Sequence, residues 1–65
     1  MIIYEVGIKN RAPKTISADK MEIGSRGELI FKNKIESDTY QLRGKDRYMT
    51  KFIISAQKWD YVEQK

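Results

Sequence analysis

The sequence predicts an all-β fold made of five or six short antiparallel strands. Apolar residues recur mostly with a period of two, which is typical of strands that bury one face. The candidate strands are spaced by roughly ten residues and separated by turns that contain glycine or asparagine, a pattern that favours an antiparallel meander. The chain has 65 residues, so we expect a single domain over residues 1–65.

The first strand is predicted over residues 2–8. One face carries Ile2, Tyr4, Val6 and Ile8. The residues between and after them are more polar and include Glu5 and Lys9. The strand ends near Asn10 and Pro13, because both residues favour a turn and proline cannot donate a ladder hydrogen bond.

The second segment, residues 15–23, predicts a strand with a bulge. Its four apolar residues change parity halfway, from Ile16 and Ala18 to Met21 and Ile23. Because a shift of one residue moves every side chain to the other face, one regular strand cannot bury all four. The alternatives are a bulge near residues 19–20 or a short helical turn capped by Asp19 and Glu22. We favour the bulge, because Gly24 follows too soon for a helix.

Three further strands are predicted over residues 28–34, 39–43 and 48–55. Residues 24–27 have the glycine-x-x-glycine pattern that clamps a nucleic-acid backbone where it joins two helices. Here the pattern joins two predicted strands, so we interpret it as a hairpin turn. Gly44 marks the turn before the last of these strands, because glycine readily adopts positive φ.

The C-terminal residues 56–65 fit two interpretations. The alternation around Trp59 suits a short sixth strand. Phe52, Ala56 and Trp59 also lie on one helical face, so the alternative is a meander that ends in a short C-terminal helix. We favour the strand, because the β-branched pair at residues 53–54 disfavours a continuous helix.

Strands of this number and length would close most easily as a small SH3-like or OB-like barrel. The size and strand pattern resemble small SH3-like barrels and small β proteins of phages and prophages. The resemblance covers the whole chain but rests on no specific motif, so it assigns no functional residue.

The residue types needed for most catalytic and metal sites are scarce. The sequence has no cysteine and no histidine, which removes disulfides, thiolate sites, the commonest general base and the commonest zinc ligand. Carboxylate pairs occur at residues 19 and 22 and at residues 36 and 38, but that spacing is common in solvated loops. We therefore predict a non-enzymatic protein without catalytic, cofactor-binding or metal-ligating residues.

The net charge of +4 permits an attraction to nucleic acid. Two loop clusters supply the candidate nucleic-acid contacts: Lys9, Arg11, Lys14, Arg43, Lys45 and Arg47. In an up-and-down meander these clusters lie at opposite ends of the sheet, which counts against a single groove. The simpler interpretation of each cluster is a solvated loop.

The strand over residues 48–55 has apolar side chains on both faces. The predicted core face takes Ile2, Tyr4, Val6, Leu29, Phe31, Tyr40, Leu42, Phe52 and Ile54. The opposite face then shows Ile3, Ile30, Met49 and Ile53. Four such side chains on adjacent strands form a patch typical of a protein interface, unless the sheet curls or the C-terminal segment covers them.

These observations predict a small binding module that acts through protein–protein contact and self-associates. A core of this size rarely yields more than about 3–5 kcal/mol unless a disulfide, a metal or an oligomeric partner helps. The alternative is a nucleic-acid-binding β-barrel that uses the basic loops. We expect a cytoplasmic protein that does not enter a membrane, because neither a membrane-length apolar stretch nor a secretion signal is recognisable. An accessory role in a phage or prophage is a further expectation, which follows from the resemblance to small β proteins of that origin.

Overall fold

The computed structural model describes residues 1–35 and 47–65, which form two three-stranded antiparallel sheets. The strands are β1 (Ile2–Ile8), β2 (Lys14–Ala18), β3 (Lys20–Ile23), β4 (Leu29–Lys34), β5 (Tyr48–Ile54) and β6 (Trp59–Gln64). The first sheet has the order β2-β1-β6 and the second has the order β3-β4-β5. The predicted all-β fold is confirmed, while the strand expected over 39–43 and Gly44 fall outside the described residues. Within the described ranges, no helix has the length and apolar character needed to cross a membrane.

Where the sequence predicted a bulge in the second segment, the structure has a one-residue bend at Asp19, the single residue between β2 and β3. β2 pairs with β1 and β3 pairs with β4, so the chain passes from one sheet to the other at this residue. The Asp19 amide donates to the Lys32 carbonyl at 3.0 Å, and the Asp19 carboxylate accepts from the Lys34 amide at 2.6 Å. The change of parity is therefore built into a bend that joins the two sheets.

A bulge that the sequence pattern did not predict lies at Lys51 in β5. Phe31 pairs with Phe52, but the next residue of β4, Lys32, pairs with Thr50. Lys51 is the extra residue of β5, and a bulge of one residue reverses the face of every side chain beyond it.

The core lies between the two sheets, and the described part of the chain contributes seven buried residues to it: Tyr4, Val6, Ile16, Ala18, Leu29, Phe31 and Ile54. Tyr4 of β1 and Phe31 of β4 meet edge to face with their ring centroids 5.5 Å apart, a favoured aromatic geometry. This contact ties the first sheet to the second. The predicted core face is confirmed for most described positions, and Phe52 lies on it as the cross-strand partner of Phe31, but the Phe52 side chain is 37% exposed.

The C-terminal segment forms the predicted sixth strand, preceded by one 3₁₀ turn at Ala56–Lys58. The half-buried Trp59 packs against the core, and its indole N–H donates to the carbonyl of Gly27 at 2.9 Å. Gly27 ends the turn between β3 and β4 with a φ of 84°, which only glycine adopts readily. The turn at residues 24–27 is therefore a hairpin turn, as predicted, and β6 holds it in place.

Candidate functional site

A cleft of about 480 Å³ lies between the β1–β2 loop and the C-terminal end of β5. Its lining includes Ile8, Ala12, Pro13, Phe52, Ile53 and Ile54 on the apolar side and Arg11, Lys14 and Lys58 on the basic side. The cleft thus combines an apolar floor with a cationic rim, which is the general composition of a binding site that orients a charged ligand.

Two smaller depressions extend this cleft at either end. One, of about 400 Å³, adds Lys9 and shares Arg11 and Lys58 with the cleft. The other, of about 280 Å³, adds Lys51 and shares Lys14 with it. The three depressions form one continuous surface, which we call the basic groove. Its cations are Lys9, Arg11, Lys14, Lys51 and Lys58, and no acidic residue of the described chain lines it.

Local backbone structure brings the N-terminal and C-terminal parts of the basic groove together. The Lys9 amide donates to the Lys58 carbonyl at 3.0 Å, so the 3₁₀ turn lies beside the end of β1. Asn10 adopts a φ of 61°, a left-handed conformation that asparagine tolerates, and the Arg11 amide then donates back to Ile8 at 3.2 Å. The tight turn holds Arg11 on the same side as Lys58.

Phe52 lies where the cleft meets the depression of about 280 Å³, and a cation covers part of the Phe52 ring. The Lys14 ammonium lies 4.3 Å from the centre of the Phe52 ring, within the range of a cation–π contact. Nearby, the Lys51 ammonium donates to the Ser17 carbonyl at 2.6 Å. Both contacts join the edge of β2 to the edge of β5, which are not hydrogen-bonded to each other as strands in the described part of the chain.

The acidic side chains that form ion pairs do so away from the basic groove. Glu22 pairs with Lys32 and Lys20, and the hydrogen bond from Lys32 is the main cause of the lowered pKa of Glu22. Glu5 and Glu63 both pair with Lys65. Within the described residues, no carboxylate lies within 4.0 Å of a basic-groove cation. The carboxylates of the described residues therefore do not neutralise the positive charge of the basic groove.

The structure brings together only part of the predicted nucleic-acid contacts. Lys9, Arg11 and Lys14 all line the basic groove. Arg47 is exposed just before β5 and does not line it, while Arg43 and Lys45 lie outside the described residues. The basic groove also contains Lys51 and Lys58, neither of which is among the six predicted contacts. No sequence spacing could have found Lys58, since its position depends on the contact between β1 and the 3₁₀ turn.

The four predicted interface residues do not share one face. Ile30 and Ile53 are direct cross-strand partners, and Ile53 is 55% exposed. Met49 pairs with Asn33, three residues from Ile30 in β4, so the bulge at Lys51 turns Met49 towards the opposite face. Ile3 lies in the other sheet and is 42% exposed. Two of the four side chains are therefore adjacent.

In the described part of the chain, no three acidic side chains lie close enough together to hold a metal ion. No protein-family model matches the chain, and neither a curated protein nor a solved structure matches it. The functional argument therefore rests on the geometry and charge of the basic groove.

Proposed function

We propose that the protein binds nucleic acid through the basic groove. The observation that carries this proposal is the convergence of five cations on one continuous depression that no described acidic residue lines. A nucleic acid presents a regular row of phosphates, and neutralising them with lysine and arginine releases condensed counterions. Because a concave surface of one charge focuses its electric field, the arrangement favours such a ligand more than scattered surface lysines would.

The way the cations are positioned also favours a binding role over simple solubility. Lys9, Arg11 and Lys14 come from the β1–β2 loop and its borders, whereas Lys51 and Lys58 follow much later in the chain. Bringing like charges together is unfavourable unless a ligand or solvent screens them. The acidic side chains that form ion pairs in the described residues lie on other surfaces. They therefore leave the positive charge of the basic groove available to a partner.

We also infer that the two sheets wrap into a small SH3-like barrel, with an OB-like barrel as the alternative. Support comes from β2 and β3, which act as one bent strand shared between the sheets. Further support comes from the 3₁₀ turn directly before the last strand and from the Lys51–Ser17 bridge between two sheet edges. Small barrels of this kind leave loops free to bind ligands without disturbing the core.

The proposal is tested by measuring how the full chain binds a fluorescently labelled DNA of about twelve nucleotides, at salt concentrations from about 20 to 300 mM. We expect affinity to fall steeply with salt and Arg11→Glu to reduce it about tenfold or more at low salt. Arg26→Glu is the matched control, because it makes the same charge change at an exposed turn outside the basic groove. The absence of binding at low salt, or equal losses in both variants, would contradict a groove-specific role.

A second candidate function is self-association through the outer face of the second sheet. Ile30 and Ile53 are paired there, and Glu22 lies beside Ile30 with two lysines bound to it. A face that carries apolar side chains and both charge signs is suited to a second copy of itself. This candidate retains the protein–protein module that the sequence predicts. The cytoplasmic location and the phage or prophage origin also stay predictions.

Sedimentation equilibrium of the full chain tests self-association. We expect Ile53→Glu to lower the average mass towards that of the monomer, whereas Met49→Glu should leave it unchanged. The two side chains have similar exposure, 55% and 57%, but point to opposite faces of the same sheet. A wild-type protein that remains monomeric at high concentration would exclude this candidate.

A further inference from the structure

A ligand that offered only phosphates to the basic groove would not need its apolar floor. Phe52 shares a face with the fully buried Phe31, its cross-strand partner, yet it is 37% exposed. The reason is its position at the edge of the second sheet, where β5 has no further strand beside it in the described part of the chain. An exposed aromatic ring within a cationic cleft needs a separate explanation.

We infer that the basic groove takes single-stranded nucleic acid, with a base stacked at Phe52 and the flanking phosphates held by the cations. This inference rests on the proposed function and specifies its ligand. Aromatic rings bind unpaired bases of any sequence, because every base has a π-face. A duplex keeps its base faces stacked inside the helix, so it would contact only the cationic rim.

The dimensions of the cleft fit an unpaired base. Its volume of about 480 Å³ lies within the range of pockets that enclose small organic ligands. Ile54 and Pro13 line the cleft beside Phe52 and offer further apolar surface to a flat ring. Lys9, Arg11 and Lys58 lie together at one end, where they would bind the phosphate that follows the base.

Lys14 also fits this arrangement. Its ammonium lies over one face of the Phe52 ring, so a base either stacks on the other face or displaces the ammonium. The lysine side chain is long and flexible, and a displaced ammonium can bind a neighbouring phosphate instead. The contact seen in the free protein therefore keeps the ring covered until a ligand arrives, without blocking the site.

The experiment compares, with the full chain and at one salt concentration, oligo(dT) of about twelve nucleotides, a blunt duplex of about twelve base pairs, and a polyglutamate peptide. We expect the single strand to bind at least about tenfold more tightly than the duplex and the peptide. Phe52→Ala should weaken single-strand binding about tenfold and leave the salt dependence unchanged, because it removes stacking and no charge. Phe52→Trp should retain binding.

Phe52→Leu keeps an apolar side chain at this position and provides the same test if Phe52→Ala does not fold, as judged by circular dichroism. Equal binding of single strand and duplex, with no effect of Phe52→Ala or Phe52→Leu, would overturn the inference. If Arg11→Glu still weakened binding in that case, the proposed function would stand although the inference about single strands had failed. Tighter binding of polyglutamate than of oligo(dT) would overturn the inference in favour of an acidic peptide ligand. No binding of either nucleic acid at low salt would overturn both proposals.

Discussion

The hydroxyl of Tyr61 donates a 2.9 Å hydrogen bond to the carboxylate of Glu5, and the Tyr61 ring lies directly over Gly7. Gly7 and Tyr61 are cross-strand partners in β1 and β6, so the ring crosses the neighbouring strand to reach Glu5. Gly7 is buried although it lies on the outer face of the sheet, and the Tyr61 ring covers it there. A glycine is required here for close approach and not for a turn.

Gly7→Ala should therefore destabilise the fold. A Cβ at position 7 would lie 2.9 Å from Cζ of Tyr61 and closer still to two other ring atoms, so the ring must move. Overpacking of this kind costs roughly 1–3 kcal/mol, which is a large part of the stability of a small domain. Urea denaturation followed by circular dichroism measures the change.

The same substitution in a Tyr61→Ala background is the control. With the ring absent, alanine at position 7 should cost less than in the wild type or even stabilise the strand, because glycine is unfavourable inside strands. A cost that is equal in both backgrounds would contradict the assigned contact.

Tyr61 should ionise at a higher pH than an ordinary tyrosine. The hydrogen bond to Glu5 is the main cause of its raised pKa, followed by partial desolvation and the negative charges of Glu5, Glu63 and Asp60. Because the folded-state pKa lies above the unfolded value, the stabilising contribution is complete below about pH 10 and is lost as the pH rises through the folded-state pKa. The tyrosinate absorbance of wild type minus that of Tyr61→Phe isolates this titration.

Glu5→Gln is the corresponding control for the titration. It removes the carboxylate charge and weakens the acceptor, so the pKa of Tyr61 should fall towards its ordinary value. If the difference spectrum were unchanged by Glu5→Gln, the hydrogen bond would not be the cause of the shift.

The two paired phenylalanines of the second sheet should differ sharply in their contribution to stability. Phe31 is fully buried and meets Tyr4, so Phe31→Ala should cost about 3–5 kcal/mol and leave the protein largely unfolded. Phe52 is partly exposed at a sheet edge, and Phe52→Ala should cost roughly 1 kcal/mol. Thermal unfolding of both variants decides the matter, and equal losses would contradict the assigned core.

Trp59→Phe should lower the free energy of unfolding by roughly 1 kcal/mol more than the smaller buried ring alone would. The substitution keeps an aromatic side chain but removes the indole N–H that binds the Gly27 carbonyl. The turn between β3 and β4 should loosen as a result. Faster hydrogen exchange at the Gly24 and Gly27 amides, which bond within that turn, would report this, and unchanged exchange would contradict the role of the bond.

The bend at Asp19 and the bulge at Lys51 show what the apolar pattern could and could not predict. The bend at Asp19 was predictable because the apolar residues before it, Ile16 and Ala18, differ in parity from those after it, Met21 and Ile23, and this change is visible in the sequence. The bulge at Lys51 could not be predicted in this way. Ile54 is the only buried residue of β5, so no buried residue of this strand precedes the bulge and no change of parity is visible. Exposed Met49 and Ile53 carry no information about which face they occupy.

The basic groove could be predicted only in part, and for a related reason. Lys9, Arg11 and Lys14 are close in sequence, so their clustering is a local property. Their contact with Lys51 and Lys58 depends on how two separate sheets pack together. A flat meander, which the strand spacing also permits, would have kept these groups apart.

The bridge from Lys51 to the Ser17 carbonyl has a consequence for association between molecules. An open strand edge is a template on which a second chain can add, and unprotected edges lead to aggregation. At Ser17 the exposed carbonyl is already capped by an ammonium group, so an incoming strand would have to displace a charge before it could pair at this position. The residue that widens β5 by one position thus also protects the neighbouring edge against unwanted strand addition.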